Sequence, residues 1–306
     1  MRKLVITSYA LLFSICSMAL PEDSTVLLPQ ADAPIIEKLN HQLDSLENKI
    51  KYHTGNITLA GGKFTLRVPD EFLFIDANQS RYILEELWGN LPDPEVDGMI
   101  VRKGFQPSRL INDYSFVIGY SDIGHVSSQK VTELNHDKLL AQLKENMDRS
   151  NESRINMGLN TMSVTGWVIV PYFDQYKKAL YWATRINANG TEEEILNYNL
   201  RLMGKTGVIK INAVATLDQL PDIKKTLPLI IAQTRFTAAE AFDAYKEGED
   251  RESHYDMASL IAGKPPTDRF GKLDISWQLV FLVAGLSFLT YRVFSNLKRK
   301  AAPATA

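Results

Sequence analysis

The segment at residues 275–294 limits most strictly how this chain can fold, because no charged side chain occurs between Trp277 and Tyr291. At about 1.5 Å rise per residue, a helix of that length with its flanks crosses a hydrocarbon core of roughly 30 Å. Trp277 and Tyr291 lie where interfacial aromatic rings belong, Arg292 can snorkel to the headgroups, and Lys298, Arg299 and Lys300 follow. Residues 275–294 are therefore expected to form a single transmembrane helix, with residues 295–306 as a cytoplasmic basic tail.

The opposite end predicts export. Met1, Arg2 and Lys3 form a short positive region, residues 4–16 are mostly apolar, and Ser17 and Ala19 put small side chains where a signal peptidase reads them. Residues 1–19 are expected to be a signal peptide, with an uncleaved N-terminal anchor as the rival reading. Lipidation at Cys16 is disfavoured because Ile15 stands where a small residue belongs. The bulk of the chain is thus expected outside the cytoplasm, periplasmic or on the cell surface, joined to the bilayer by a polar, proline-containing stalk at residues 263–274.

Charge narrows the function of that exported part. Six of the 34 basic residues lie in the two terminal segments, which carry no acidic residue. Residues 20–274 keep 28 basic against 36 acidic side chains, a net charge of −8. Such a surface lacks the basic footprint that phosphate backbones require, so no nucleic-acid partner is expected. The only cysteine is Cys16, so a processed chain has neither disulfides nor thiolate chemistry and depends on its own core.

Along the chain, Ile35, Ile36, Leu39, Leu43, Leu46 and Ile50 recur at helical spacing, predicting an amphipathic helix over residues 33–52 within an N-terminal region, residues 20–55. Residues 56–59 and 63–68 flank Gly61-Gly62 as a hairpin. Further strands are expected at 72–75, 99–102, 114–120, 164–171, 179–187, 195–203 and 208–216. Helices are expected at 78–88, 135–147 and 222–235, with more helix or irregular cover at 238–261. The alternation in residues 179–186 suits a sheet with one buried face. Strands and helices without strict alternation predict one α+β domain over residues 56–262, an antiparallel sheet covered by helices.

Several short segments carry a family resemblance: residues 56–59 opening a hairpin, residues 87–90, Gly166-Trp167 followed by Pro171-Tyr172, residues 180–183, Asn197-Tyr198, and residues 202–208. In this order they resemble the bacterial membrane-anchored family called domain of unknown function 2167, over roughly residues 50–265. The resemblance implies a bacterial source and a membrane anchor; it implies no activity and carries no functional residues. The inner order of elements is also similar, as a fold analogy, to small exported α+β domains of the photosystem-accessory type.

The candidate chemistry is sparse. Gly204-Lys205-Thr206 has the end of a phosphate-binding loop, but Asn199 stands where its first glycine is needed and the flanks predict two strands, so a hairpin turn is expected. Asp93, Glu95 and Asp97 alternate like half of a calcium loop, yet Gly104 replaces the closing carboxylate, and an acidic surface turn is expected. His125 near Asp122 is the most site-like of five histidines, none paired at zinc-site spacing. Ser127 precedes Lys130 by the three residues of a serine–lysine nucleophile pair, in a polar segment where that spacing means little.

Trp88, Trp167, Tyr172, Tyr176, Tyr181, Trp182 and Tyr198 concentrate in the part that carries the resemblance. Core packing accounts for most such rings, while exposed ones at Gly166-Trp167 or residues 171–174 could stack on sugars or anchor a partner protein. No catalytic, cofactor-binding or metal-ligating residue is assigned. The expectation is a binding or accessory module for an envelope partner, a protein, held to the lipid bilayer by its span. The alternative is a hydrolase-like envelope enzyme whose site no motif reveals.

Overall fold

Period-two runs of apolar side chains dominate the middle of the chain, and they pair in register along nearly their whole length. The computed structural model describes residues 49–107, 114–128, 134–189 and 194–263. In chain order these contain β1 (Tyr52–His53), β2 (Asn56–Leu59), β3 (Phe64–Arg67), β4 (Phe72–Asp76) and α1 (Ala77–Arg81), which runs into a π-helical turn, Tyr82–Leu87. There follow β5 (Val96–Arg102), β6 (Ser115–Ser121), α2 (His136–Asn156), β7 (Met162–Asp174), β8 (Ala179–Ala188), β9 (Glu194–Met203) and β10 (Val208–Thr216). α3 (Leu220–Gln233), β11 (Thr234–Phe236) and α4 (Met257–Ala262) complete the order.

An eight-stranded sheet has the order β1-β4-β5-β6-β10-β9-β8-β7, and a separate three-stranded sheet the order β11-β3-β2. Every neighbouring pair of strands is antiparallel. The α+β antiparallel class expected from the sequence is the one observed, with a difference in cover. One face of the large sheet, including Phe74, Phe116, Ile211 and Leu200, packs against α3 and the small sheet through Ile223, Leu227, Phe64 and Leu66. The other face lies under helices, with Met147 of α2 in one apolar cluster with Val117 and Val214, and Leu260 of α4 in another with Trp182 and Val208. The single buried face expected for residues 179–186 is therefore corrected: in β8 both faces are buried, because a layer lies on each side.

Local signals explain most element ends. Asp76 caps α1 by accepting from the Gln79 amide at 2.9 Å, and Asn135 caps α2 by accepting from Lys138 at 2.9 Å. α2 runs nine residues past its expected end at 147, to Asn156. Its inward positions there are polar but partnered: Ser150 Oγ donates to Met147 O at 2.8 Å, and Arg154 Nε donates to Asn160 O at 2.6 Å. α3 stops earlier than expected, since Thr234, Arg235 and Phe236 pair with Leu66, Thr65 and Phe64 of β3.

The expected helix over residues 33–52 is corrected at its end. Tyr52 and His53 are extended and pair with Ile75 and Phe74 of β4, whose open edge takes their backbone groups; residues 33–48 lie outside the described residues. So do the signal segment at 1–19, the stalk beyond Gly263, the span at 275–294 and the tail at 295–306. Among the described residues no helix is long and apolar enough to cross a membrane.

Candidate functional site

Polar side chains gather in the middle of the helix-covered face of the sheet. The turn after β9 sets a register in which Arg201 faces Lys210 and Asn199 faces Asn212. Period-two geometry then turns Asn197, Asn199 and Arg201 to one side. Arg201 is 1% exposed and Lys210 5%. The Arg201 guanidinium donates to Asn212 Oδ1 at 2.7 Å and to Leu200 O at 2.9 Å, and lies 4.9 Å over the Trp182 ring. Burial brings it down to about 9, with Glu95 and Asp93 acting in the opposite direction.

An arm formed by residues 89–95 brings the balancing carboxylates. Pro92 and Pro94 disfavour helical backbone in the residues before them, and Asp93 Oδ1 accepts from the Glu95 amide at 2.9 Å. Lys210 Nζ donates to Glu95 Oε2 at 2.8 Å and to Asp93 Oδ2 at 3.3 Å, while Ser121 Oγ donates to Glu95 Oε2 at 2.7 Å. The acidic surface turn expected of Asp93, Glu95 and Asp97 is thus corrected, because Asp93 is buried and the Lys210 ammonium bridges it to Glu95. Among the described residues no group of three His, Cys, Asp or Glu is placed to hold a metal ion.

A second polar cluster closes the β9–β10 turn. Gly204 N donates to Gly207 O at 2.8 Å, so Gly204-Lys205-Thr206 is the expected hairpin turn. Thr206 Oγ1 receives Lys63 Nζ at 2.7 Å, lies 2.8 Å from the Tyr120 hydroxyl and donates to Glu240 Oε2 at 2.5 Å. Asp122 accepts from Lys63 at 2.9 Å and also pairs with Arg251. One hydroxyl with three partners is a saturated tie between the β2–β3 hairpin, the β9–β10 turn and the chain after β11. Thr206→Val should cost about 1 kcal/mol, lowering Tm by about 2–4 °C in thermal unfolding of the intact chain in detergent.

His125 is not paired with Asp122. Its ring stacks on Tyr245 at 3.8 Å and 7° and lies 4.4 Å from Phe242. Burial lowers its pKa, against the Gly204 carbonyl, Glu252 and Asp250. This histidine anchors the segment before α4: His125 N donates to Arg251 O at 2.9 Å and Ser253 N to His125 O at 2.8 Å. Lys130 lies outside the described residues.

Most of the aromatic side chains pack inward. Trp88, Trp182, Tyr181 and Tyr198 are buried, and Trp167 is half-buried with Nε1 donating to His136 O at 3.2 Å. Tyr52 and Tyr82 are partly open, and the most exposed group lies at and just beyond the end of β7, an edge strand of the large sheet, where Val170 is 45%, Tyr172 47% and Tyr176 100% exposed. Tyr172 stacks on buried Tyr181 at 4.8 Å and 8°, which fixes its ring and leaves its outer side to solvent. Pro171 and three shifts of register against β8 interrupt this edge, so backbone pairing with a further strand is blunted and side chains remain for recognition.

The model of the family described as protein of unknown function (DUF2167) matches residues 51–291. This chain is a DUF2167 protein. The match begins just before β1 and includes every strand and helix described above. No curated protein matches it. Solved structures similar to this DUF2167 chain include cyanobacterial PsbP (CyanoP) from Synechocystis, at TM-score 0.35 and 11% identity, covering 61% of this chain and 92% of that one. The Saccharomyces cerevisiae Ran-binding protein Mog1p scores 0.33 at 12% identity, covering 61% and 96%. LpqN, involved in cell envelope biogenesis of Mycobacterium tuberculosis, scores 0.30 at 15% identity, covering 63% and 95%. Similarity this low carries no argument about the DUF2167 fold or function.

Two segments of the DUF2167 resemblance line the buried polar layer, through Trp182 and Asn197. Nothing local in the sequence marks Arg201, Lys210, Asn199 and Asn212 as a site. Their alternation with apolar residues has the pattern of a strand with one solvated face, and only the register of β9 against β10 hinted that four polar residues meet.

Proposed function

We propose that this protein is a membrane-tethered accessory module of the bacterial envelope, whose exported domain holds a protein partner at the exposed end of β7. The observation that carries the reading is the group of Val170, Tyr172 and Tyr176, three large side chains in the open at the end of β7. Aromatic side chains that keep their rings in place before binding lose little conformational freedom on contact, and for that reason dominate interface energetics. The tether belongs to the same reading: the uncharged run at residues 277–291 and the basic cluster after it support a single span with the domain outside.

The alternative, an envelope hydrolase, draws on the Lys63, Thr206 and Glu240 cluster. The Thr206 hydroxyl there donates to Glu240 but also accepts from Lys63 and lies against Tyr120, so its oxygen is hemmed in by its partners, and the binding reading is preferred. Mild cross-linking of native membranes and quantitative co-purification test it, comparing the intact chain with Tyr172→Ser/Tyr176→Ser. The double substitution should reduce a near-stoichiometric partner by about tenfold or more while leaving Tm within about 2 °C. A partner recovered equally by both forms would move the interface elsewhere. Turnover by the purified chain, abolished by Thr206→Val, would replace the binding reading with the enzymatic one.

A further inference from the structure

The arm over the polar layer carries more charge than its fastening needs. Among the described residues Lys210 is the one ammonium bridging Asp93 and Glu95, and Asp97 stands beside them. Asp97 is the extra residue of a β-bulge: Val96 pairs with Gly119 and Gly98 with Ile118, so β5 spends two steps where β6 spends one. The bulge leaves Asp97 Oδ2 buried without a hydrogen-bond partner. A carboxylate in that position is costly when ionised and much less so when it holds a proton.

Other charged groups face the arm from every neighbouring element. α1 supplies Arg81, whose Nη1 donates to Pro94 O at 3.3 Å and Val96 O at 3.4 Å. The π-helical turn supplies Glu85, which accepts from the Asp93 amide and is itself raised by burial. β9 and β10 supply Arg201 and Lys210. α2 adds Arg154, whose Nη2 donates to Gly89 O at the base of the arm at 3.5 Å. The charges acting on Asp97 itself are Glu95 and Asp93 against Lys210 and Arg81, so losing the Asp97 proton sets three carboxylates beside two cations.

We propose that the arm at residues 89–95 is a proton-controlled latch: proton uptake at Asp97 fastens it over Lys210 and Arg201, and proton loss loosens it. The direction follows from the charge. Burial, aided by Glu95 and Asp93 and opposed by Lys210 and Arg81, lifts Asp97 to about 6, above the ordinary aspartate value near 4. The folded latch binds the proton more tightly than the open one. Its contribution is complete below about pH 4 and is lost as pH rises through about 6. A domain outside the cytoplasm meets such changes directly, and the latch makes access to the polar layer depend on them.

Amide hydrogen exchange reads the latch where it closes, at the Val96 amide, which donates to Asp93 O at 3.3 Å, and the Tyr120 amide, which donates to Glu95 O at 3.3 Å. The intact chain in detergent would be compared at pH 5 and pH 7.5, with rates corrected for the intrinsic pH dependence of exchange. Opening at these amides should be about tenfold more frequent at pH 7.5 in the parent chain, and rare at both values in Asp97→Asn. Asp97→Ser, which removes the charge with less bulk, should behave alike and guards against misfolding of the first variant. A pH dependence that persists in both variants, or protection that rises with pH, would overturn the latch. So would an equal change at amides of β8 and β9, since a uniform effect belongs to the whole domain.

Discussion

Lys210→Met should destabilise the domain by about 3–5 kcal/mol at neutral pH, because it strands a buried carboxylate pair with no ammonium between them. Methionine keeps much of the bulk of the lysine, so the loss isolates charge from volume. Asp93 is 6% exposed and Glu95 is half-buried, so neither can rehydrate without lifting the arm off β6. In a domain of this size the loss corresponds to a fall in Tm of roughly 6–20 °C, read by tryptophan fluorescence of the intact chain in detergent. Adding Asp93→Asn and Glu95→Gln to Lys210→Met should recover most of it, since the amides no longer need the ammonium. A Lys210→Met chain with unchanged Tm would mean that the buried ion pairs contribute nothing net.

Gly119→Ala should cost about 3 kcal/mol, although it adds one methyl group. A Cβ at this position would lie 2.3 Å from Glu95 O and 3.0 Å from the Lys210 side chain. The nearer atom is backbone, so the contact can be relieved only by raising the arm, which also breaks the Tyr120 amide bond to Glu95 O. Both substitutions release the same arm. Their effects should therefore fall short of additive when combined, by about 1–3 kcal/mol in a double-mutant cycle followed by urea unfolding. Strict additivity would show that Gly119 serves some contact other than the one Lys210 holds.

These two positions differ in how far the sequence discloses them. Gly119 sits inside an apolar strand run, where a glycine signals close approach of another backbone, but nothing local says that the visitor is Glu95. Lys210 alternates with Ile209 and Ile211, which has the pattern of a lysine on a solvated strand face. The acidic arm shows in the sequence as alternating carboxylates, which by themselves read as a surface turn. Asp93 and Lys210 are 117 residues apart in sequence and meet only through the packing of β5, β6 and β10.

Helix ends followed the same division. Asp76 and Asn135 are capping residues that act on their own first turns, so their elements start where sequence reading places them to within a residue or two. The far ends of α2 and α3 depend on partners elsewhere. α2 continues because Arg154, 1% exposed, finds Asn160 O, and α3 ends because β3 offers an edge to Thr234–Phe236. Tyr52 is drawn out of a helical pattern for the same reason, by the free edge of β4.

By itself the sequence determined the strands from β2 to β10, the hairpin at Gly204–Gly207, the antiparallel α+β class and the family, because these depend on side-chain period, turn chemistry and short segments in order. Only the tertiary structure decided which face of each strand is dry. Period two states that Asn199 and Arg201 share a side, and leaves open whether water or a helix covers it. α2 and α4 cover it, and an acidic arm from a distant segment balances the cations they bury. A charge can be buried only where its partner is brought to it, and that pairing is a property of the folded chain.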